Sequence, residues 1–128
     1  MNAVAHGVDL VEVARITEML DRHGERFLER CFTPAERAYS MGRARRTEHL
    51  AARFAAKEAV LKALGTGWRS GIAWTDVEVV VEPSGAPGVA LAGRAAEVAA
   101  QRGVTGWLLS LSHAGGFAMA SAIGLGAD

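Results

Sequence analysis

Apolar positions change rhythm near the middle of the chain. Up to residue 64 they recur mostly at helical three- and four-residue spacing, and from residue 76 they run together or alternate. The opening run, residues 3–8, is the exception. It is short, apolar and closed by Gly7, Val8 and Asp9, which predicts a strand carrying Asp9 at its C-terminal tip. Val11, Ile16, Leu20, Phe27 and Leu28 then keep a helical beat, interrupted at Gly24. Thr33, Pro34 and Glu36 supply an N-cap, a first-turn proline and the N3 carboxylate of a capping box, so a new helix starts there. After the polar, basic stretch 42–47, Leu50, Phe54, Leu61 and Leu64 mark one stripe of a long helix that Gly65 and Gly67 stop.

The second half favours strands. Asp76–Glu82 is rich in branched residues and partly alternating, Pro83–Pro87 is turn chemistry, and residues 89–91 are a short strand. An alanine-rich helix over 94–102 ends at Gly103, and strands 107–111 and 117–123 are joined through residues 112–116. Helices first and hairpins later predict an α+β fold. With 128 residues, one domain is expected.

Fourteen basic and fourteen acidic residues cancel, so no global field recruits nucleic acid or an anionic membrane, and charge recognition must be local. The lone Cys31 excludes an internal disulfide framework and a thiolate zinc cluster. Asp9 and Glu12 stand where a signal peptide would place its basic segment and uninterrupted apolar run, and nothing approaches 18 uncharged apolar residues. A cytoplasmic protein is expected.

Within the long helix, Glu58 projects only about 40° from Phe54 and so points at the core or its rim. A carboxylate there must be paired, protonated or metal-bound. Pairing with Lys62 at i,i+4 is the plain option; convergence with Asp9 on a divalent cation is the other, since magnesium takes one or two carboxylates plus waters and phosphate oxygens. Asp9 has its own plain option, capping the first helix. His113 lies between strands in a serine-flanked segment, either catalytic or hydrogen-bonded at a turn. Ser110 and Ser112 lack a G-x-S-x-G elbow, and no zincin, P-loop or dinucleotide motif occurs. Arg15, Met19, Arg22 and Arg26 share one face if their helix persists, which suits an acidic helical partner or simply a solvated surface. Trp68, Trp74 and Trp107 are spaced as core or interface anchors.

Three motifs in order, GVDLVEVARI at 7–16, RFAAKEAVLKALGTG at 53–67 and SLSHAGGFAMASAI at 110–123, together resemble the holo-acyl-carrier-protein synthase family of phosphopantetheinyl transferases. The resemblance implies transfer of 4′-phosphopantetheine from coenzyme A to a serine of an apo acyl or polyketide carrier protein. It implies Mg2+, a homotrimer with sites between subunits, and release of adenosine 3′,5′-bisphosphate. By the same likeness Asp9 and Glu58 match magnesium ligands and Lys62 a phosphate-contacting lysine. Lys57 and Arg53 are candidates for the same anionic surface, with Gly65, Pro87 and His113 also toward the coenzyme. Arg15, Met19, Arg22 and Arg26 fall on the carrier-docking region. The general base stays open among Glu58, a metal-linked water and His113. Two departures stand out: Ala114 follows His113 where some members carry an acid, and Ala86 replaces a basic residue of the 85–87 turn. A carrier binder with a decayed metal site and a magnesium-dependent pyrophosphate hydrolase are the alternative activities.

Overall fold

The computed structural model describes residues 1–68 and 71–127. Strand β1 (Asn2–Glu12) leads into helix α1 (Val13–His23), followed by α2 (Glu25–Cys31), α3 (Pro34–Met41) and the long α4 (Arg46–Leu64). A 3-10 turn, Trp74–Asp76, precedes the hairpin β2 (Val77–Val81) and β3 (Pro87–Leu91); α5 (Gly93–Gln101), β4 (Gly106–Ala114) and β5 (Phe117–Gly126) complete the chain. The α+β expectation holds: the sheets are antiparallel, one ordered β1-β5-β4 and the other β2-β3.

Pairing overrides two local expectations. Strand β1 runs on to Glu12 because it pairs with β5 from Asn2↔Gly126 to Glu12↔Phe117, which puts Asp9 mid-strand opposite Ala120 rather than at a tip. Nor does Asp9 cap α1, whose N-cap is Glu12 without a side-chain bond. At the other hairpin, Gly115 and Gly116 both adopt positive φ, 59° and 83°. That allows a tight two-residue turn. His113 therefore belongs to β4, opposite Ala118, and not to a connecting loop.

Local signals succeed where the partner is close in sequence. Thr33 Oγ1 accepts from the Glu36 amide at 3.2 Å while Glu36 Oε1 accepts from the Thr33 amide at 2.9 Å, the reciprocal capping box. Gly24, at φ 51°, separates α1 from α2, and Gly65, at φ 75°, ends α4 in the left-handed region.

Helix α4 is the centre of the fold. It packs on β1 and β5, and its buried alanines 51, 52, 55, 56 and 59 suit the equally small Ala118, Ala120 and Ala122 of β5. Gly7 lets the layers approach furthest: a Cβ there would be driven into the Ala59 carbonyl oxygen and stand 2.7 Å from the Ala63 amide nitrogen. The opposite face of this sheet exposes Val8, Leu10, Leu108, Phe117 and Met119. Among the described residues no helix is long and apolar enough to cross a membrane.

Candidate active site

Side chains alternate across a strand, so Asp9, two residues beyond Gly7, faces α4 as Gly7 does. There Lys62 Nζ donates to Asp9 Oδ1 at 2.9 Å. Glu58 lies one helical turn before Lys62, half-buried. Burial pushes its carboxyl above the usual range and the Asp9 charge adds to that, while the Trp68 indole N–H, Arg15 and Lys62 pull it back. Two carboxylates thus share one region with two cations beside them. The i,i+4 partner expected for Glu58 is engaged by Asp9 instead. Among the described residues no three or more His, Cys, Asp or Glu side chains converge as a metal site. Two carboxylates nevertheless suffice for magnesium, whose remaining positions go to water and phosphate oxygens, so Asp9 and Glu58 fit that ion by their chemistry.

A second group surrounds a cavity of about 320 Å³ lined by Tyr39, Arg53, Pro87, Ser110 and His113, among others. Arg53 is buried, with its guanidinium 4.1 Å from the Tyr39 ring centroid, and Arg43 lies 3.7 Å from the same centroid. Arg53 Nη1 donates to the His49 carbonyl at 3.4 Å, and its buried Nε has no partner. Burial, with Arg53, Arg43 and His113 nearby, holds the His49 pKa below its ordinary value. His113 Nδ1 sits 2.8 Å from Glu48 Oε2. His113 thus has an acidic neighbour from α4, across space rather than next in sequence. Glu58 and Arg53 are five positions apart, about 140° around the helix axis, so the two groups occupy different sides of α4.

The other predicted residues divide. Lys57 is a correction: it has no exposed surface, pairs with Glu36 Oε1 at 2.7 Å and donates to the carbonyls of Trp74 and Val77. Burial lowers its pKa and Glu36 raises it. A phosphate in solvent cannot reach it. Gly65 closes α4 beside the Arg102 guanidinium, 3.0 Å from where a Cβ would stand. Arg15 lies 5.7 Å from the Phe54 ring and acts on Glu58. Arg22 pairs with Glu18 at 3.0 Å, Met19 is half-buried against the core, and Arg26 sits on α2, beyond the break at Gly24. The basic face is consequently stepped rather than one continuous helical stripe.

The sequence pattern of the 4′-phosphopantetheinyl transferase superfamily matches residues 5–120. The chain belongs to this superfamily. It is 59% identical over 120 residues to the holo-[acyl-carrier-protein] synthase of Desulforudis audaxviator, covering 94% of this chain and 91% of that one. It is 50% identical over 117 residues to the same-named protein of Koribacter versatilis, covering 91% and 94%. In three dimensions it resembles the Neisseria meningitidis holo-[acyl-carrier-protein] synthase with a TM-score of 0.86, at 28% identity over 97% of this chain and 99% of that one. The Helicobacter pylori enzyme in complex with coenzyme A gives 0.82 at 30% identity, over 94% and 99%.

In this phosphopantetheinyl transferase, sequence reasoning missed Glu48, Tyr39 and Arg43. Only Glu48 and His49, beside each other at the start of α4, carried a signal, and nothing local ties them to His113.

Proposed function

We propose that the chain transfers the 4′-phosphopantetheine arm of coenzyme A to a serine hydroxyl of an apo acyl carrier protein. The serine oxygen forms the new bond to the phosphorus bearing pantetheine, the diphosphate bond breaks, and adenosine 3′,5′-bisphosphate leaves. The observation that supports this reading is that Lys62 donates to Asp9, distant in sequence, one helical turn from Glu58, whose carboxyl feels the charges of Asp9, Arg15 and Lys62.

Asp9 and Glu58 are the residues that would hold a magnesium ion, which when bound would neutralise charge developing on the diphosphate. Lys62 leaves Asp9 to contact phosphate. Arg53, Pro87 and His113, around the second cavity, and Gly65 at the end of α4 face the coenzyme, and the serine proton goes to a side chain of this chain, Glu58 or His113 with Glu48 behind it. Because the two groups lie on different sides of α4, a site shared between subunits of a homotrimer fits best, and the apolar outer face of β1, β4 and β5 is the surface available for assembly. Arg15, Met19, Arg22 and Arg26 receive the acidic carrier, of fatty-acid or polyketide type, in the cytoplasm.

The test is a mass-shift assay on apo carrier with coenzyme A and Mg2+. Glu58→Gln, folded as the parent, loses transfer, and Arg22→Glu raises the carrier concentration needed while leaving coenzyme A binding unchanged. Near-normal transfer by Glu58→Gln refutes the assignment.

A further inference from the structure

Arg53 carries a charge that the fold buries without an opposing one. It lines the second cavity, is only 4% exposed, and its Nε has no hydrogen-bond partner. Among the described residues neither Arg53 nor Arg43 makes an ion pair. A buried cation in that state is costly. What holds it is a ring: the Arg53 guanidinium lies 4.1 Å from the Tyr39 centroid, that of Arg43 lies 3.7 Å from the same centroid, and His49 meets the ring edge-on at 5.7 Å. The Arg53 end is fixed as well, since Nη1 donates to the His49 carbonyl at 3.4 Å. Tyr39 thus joins α3, the segment after it and α4 around one buried guanidinium.

A ring face offsets part of the cost of a desolvated cation, yet it accepts none of the N–H donors, which lie in the guanidinium plane and match phosphate oxygens in a fork. The acceptor that Nε lacks must come from outside the chain. Coenzyme A carries a diphosphate and, on its ribose, a phosphate monoester. The diphosphate belongs with Asp9, Glu58 and Lys62, on a different side of α4, which leaves the monoester for the cavity of about 320 Å³ that Arg53 lines. We propose that Tyr39 is a positioning residue that holds the Arg53 guanidinium ready for this monoester and so sets the preference for coenzyme A over dephospho-coenzyme A. This rests on the reading of coenzyme A as the donor. A ring that served packing alone would leave that preference untouched on removal.

The experiment is calorimetric binding of coenzyme A and of dephospho-coenzyme A, each with Mg2+, to the full chain as parent, Tyr39→Leu, Tyr39→Phe and Arg53→Gln. The parent prefers coenzyme A, Arg53→Gln loses the preference, Tyr39→Leu lowers it about tenfold, and Tyr39→Phe, which keeps the ring, restores it. A parent-like preference in Tyr39→Leu beside its loss in Arg53→Gln overturns the role of Tyr39 alone. No preference in the parent, or a parent-like one in Arg53→Gln, overturns the placing of the monoester, and a parent that binds neither compound overturns the coenzyme reading and this inference with it. Should Tyr39→Leu fail to fold, the parent decides, because Tyr39 is the single tyrosine of the chain. Arg43 above all, and Arg53 with it, hold its phenol below the ordinary 10.0. A dianion arriving at Arg53 disfavours the phenolate, so coenzyme A raises the tyrosine pKa read by ultraviolet difference spectroscopy more than dephospho-coenzyme A does; equal or absent shifts reject the proposal.

Discussion

Replacing Lys57 with methionine deletes a charge that the protein keeps wholly out of water. The Lys57 ammonium lies 2.7 Å from Glu36 Oε1 and also serves the Trp74 and Val77 carbonyls. Glu36 completes its own set with the amides of Thr33 at 2.9 Å and Val79 at 2.7 Å. Methionine keeps most of the stem's volume but leaves a buried carboxylate with two amide donors and no countercharge, and leaves two carbonyls short of a donor. Breaking one side of a buried, hydrogen-bonded pair costs about 3–5 kcal/mol, a large share of the roughly 5–15 kcal/mol that holds a domain folded. The expected fall in Tm is about 10–20 °C. Urea unfolding should be run at one fixed protomer concentration, because assembly couples to apparent stability. Adding Glu36→Gln removes the stranded charge and recovers part of the loss. If Lys57 instead met the coenzyme's phosphates, Lys57→Met would unfold within about 1 kcal/mol of the parent and lose coenzyme A affinity. That outcome would refute the structural role.

Two further outcomes are expected. Gly7→Ala forces a methyl group against the Ala59 carbonyl and the Ala63 amide, both backbone, so β1 and α4 must separate; the loss is about 3 kcal/mol, and an unchanged urea midpoint would contradict the close approach. For His49, the folded state holds the pKa below its ordinary 6.5, so the unfolded chain takes up the proton first as pH falls. Stability is then full above about pH 6.5 and declines below it, and thermal unfolding of His49→Gln from pH 7 to 5 should show a flatter dependence.

What could be read from the sequence depended on where each residue finds its partner. The capping box at Thr33 and Glu36 was legible because both bonds close within three residues. The second task of Glu36 was not, since its other oxygen holds Val79 of β2 and its first also holds Lys57. The helical wheel failed at Lys57 for a related reason: α4 is enclosed on most sides, so a position beside the apolar stripe is interior as well. Strand β1 outran its apolar pattern because β5 pairs with it through Glu12. For the site, the motifs pointed to Asp9, Glu58 and Lys62, of which Lys62 reaches Asp9 at 2.9 Å, whereas the Glu48–His113 contact joins residues with no shared pattern.

Two lysines of one helix show how the fold separates support from chemistry. Lys57 is sealed in and paired on all sides, so moving it would strand a charge at a cost of several kcal/mol. Lys62, five residues on, has a side chain 55% exposed and shares its ammonium with Asp9, itself 15% exposed. A pair so open to water is worth about 0–1 kcal/mol. In the transfer proposed above, Lys62 would therefore exchange Asp9 for an incoming anion at little loss, which would free the Asp9 carboxylate for a cation. A deeply buried Asp9–Lys62 pair would resist that exchange, and an exposed Lys57–Glu36 pair would loosen the core under α4; the two pairs are placed the other way round, Lys57 and Glu36 at 0% and Lys62 at 55% side-chain exposure.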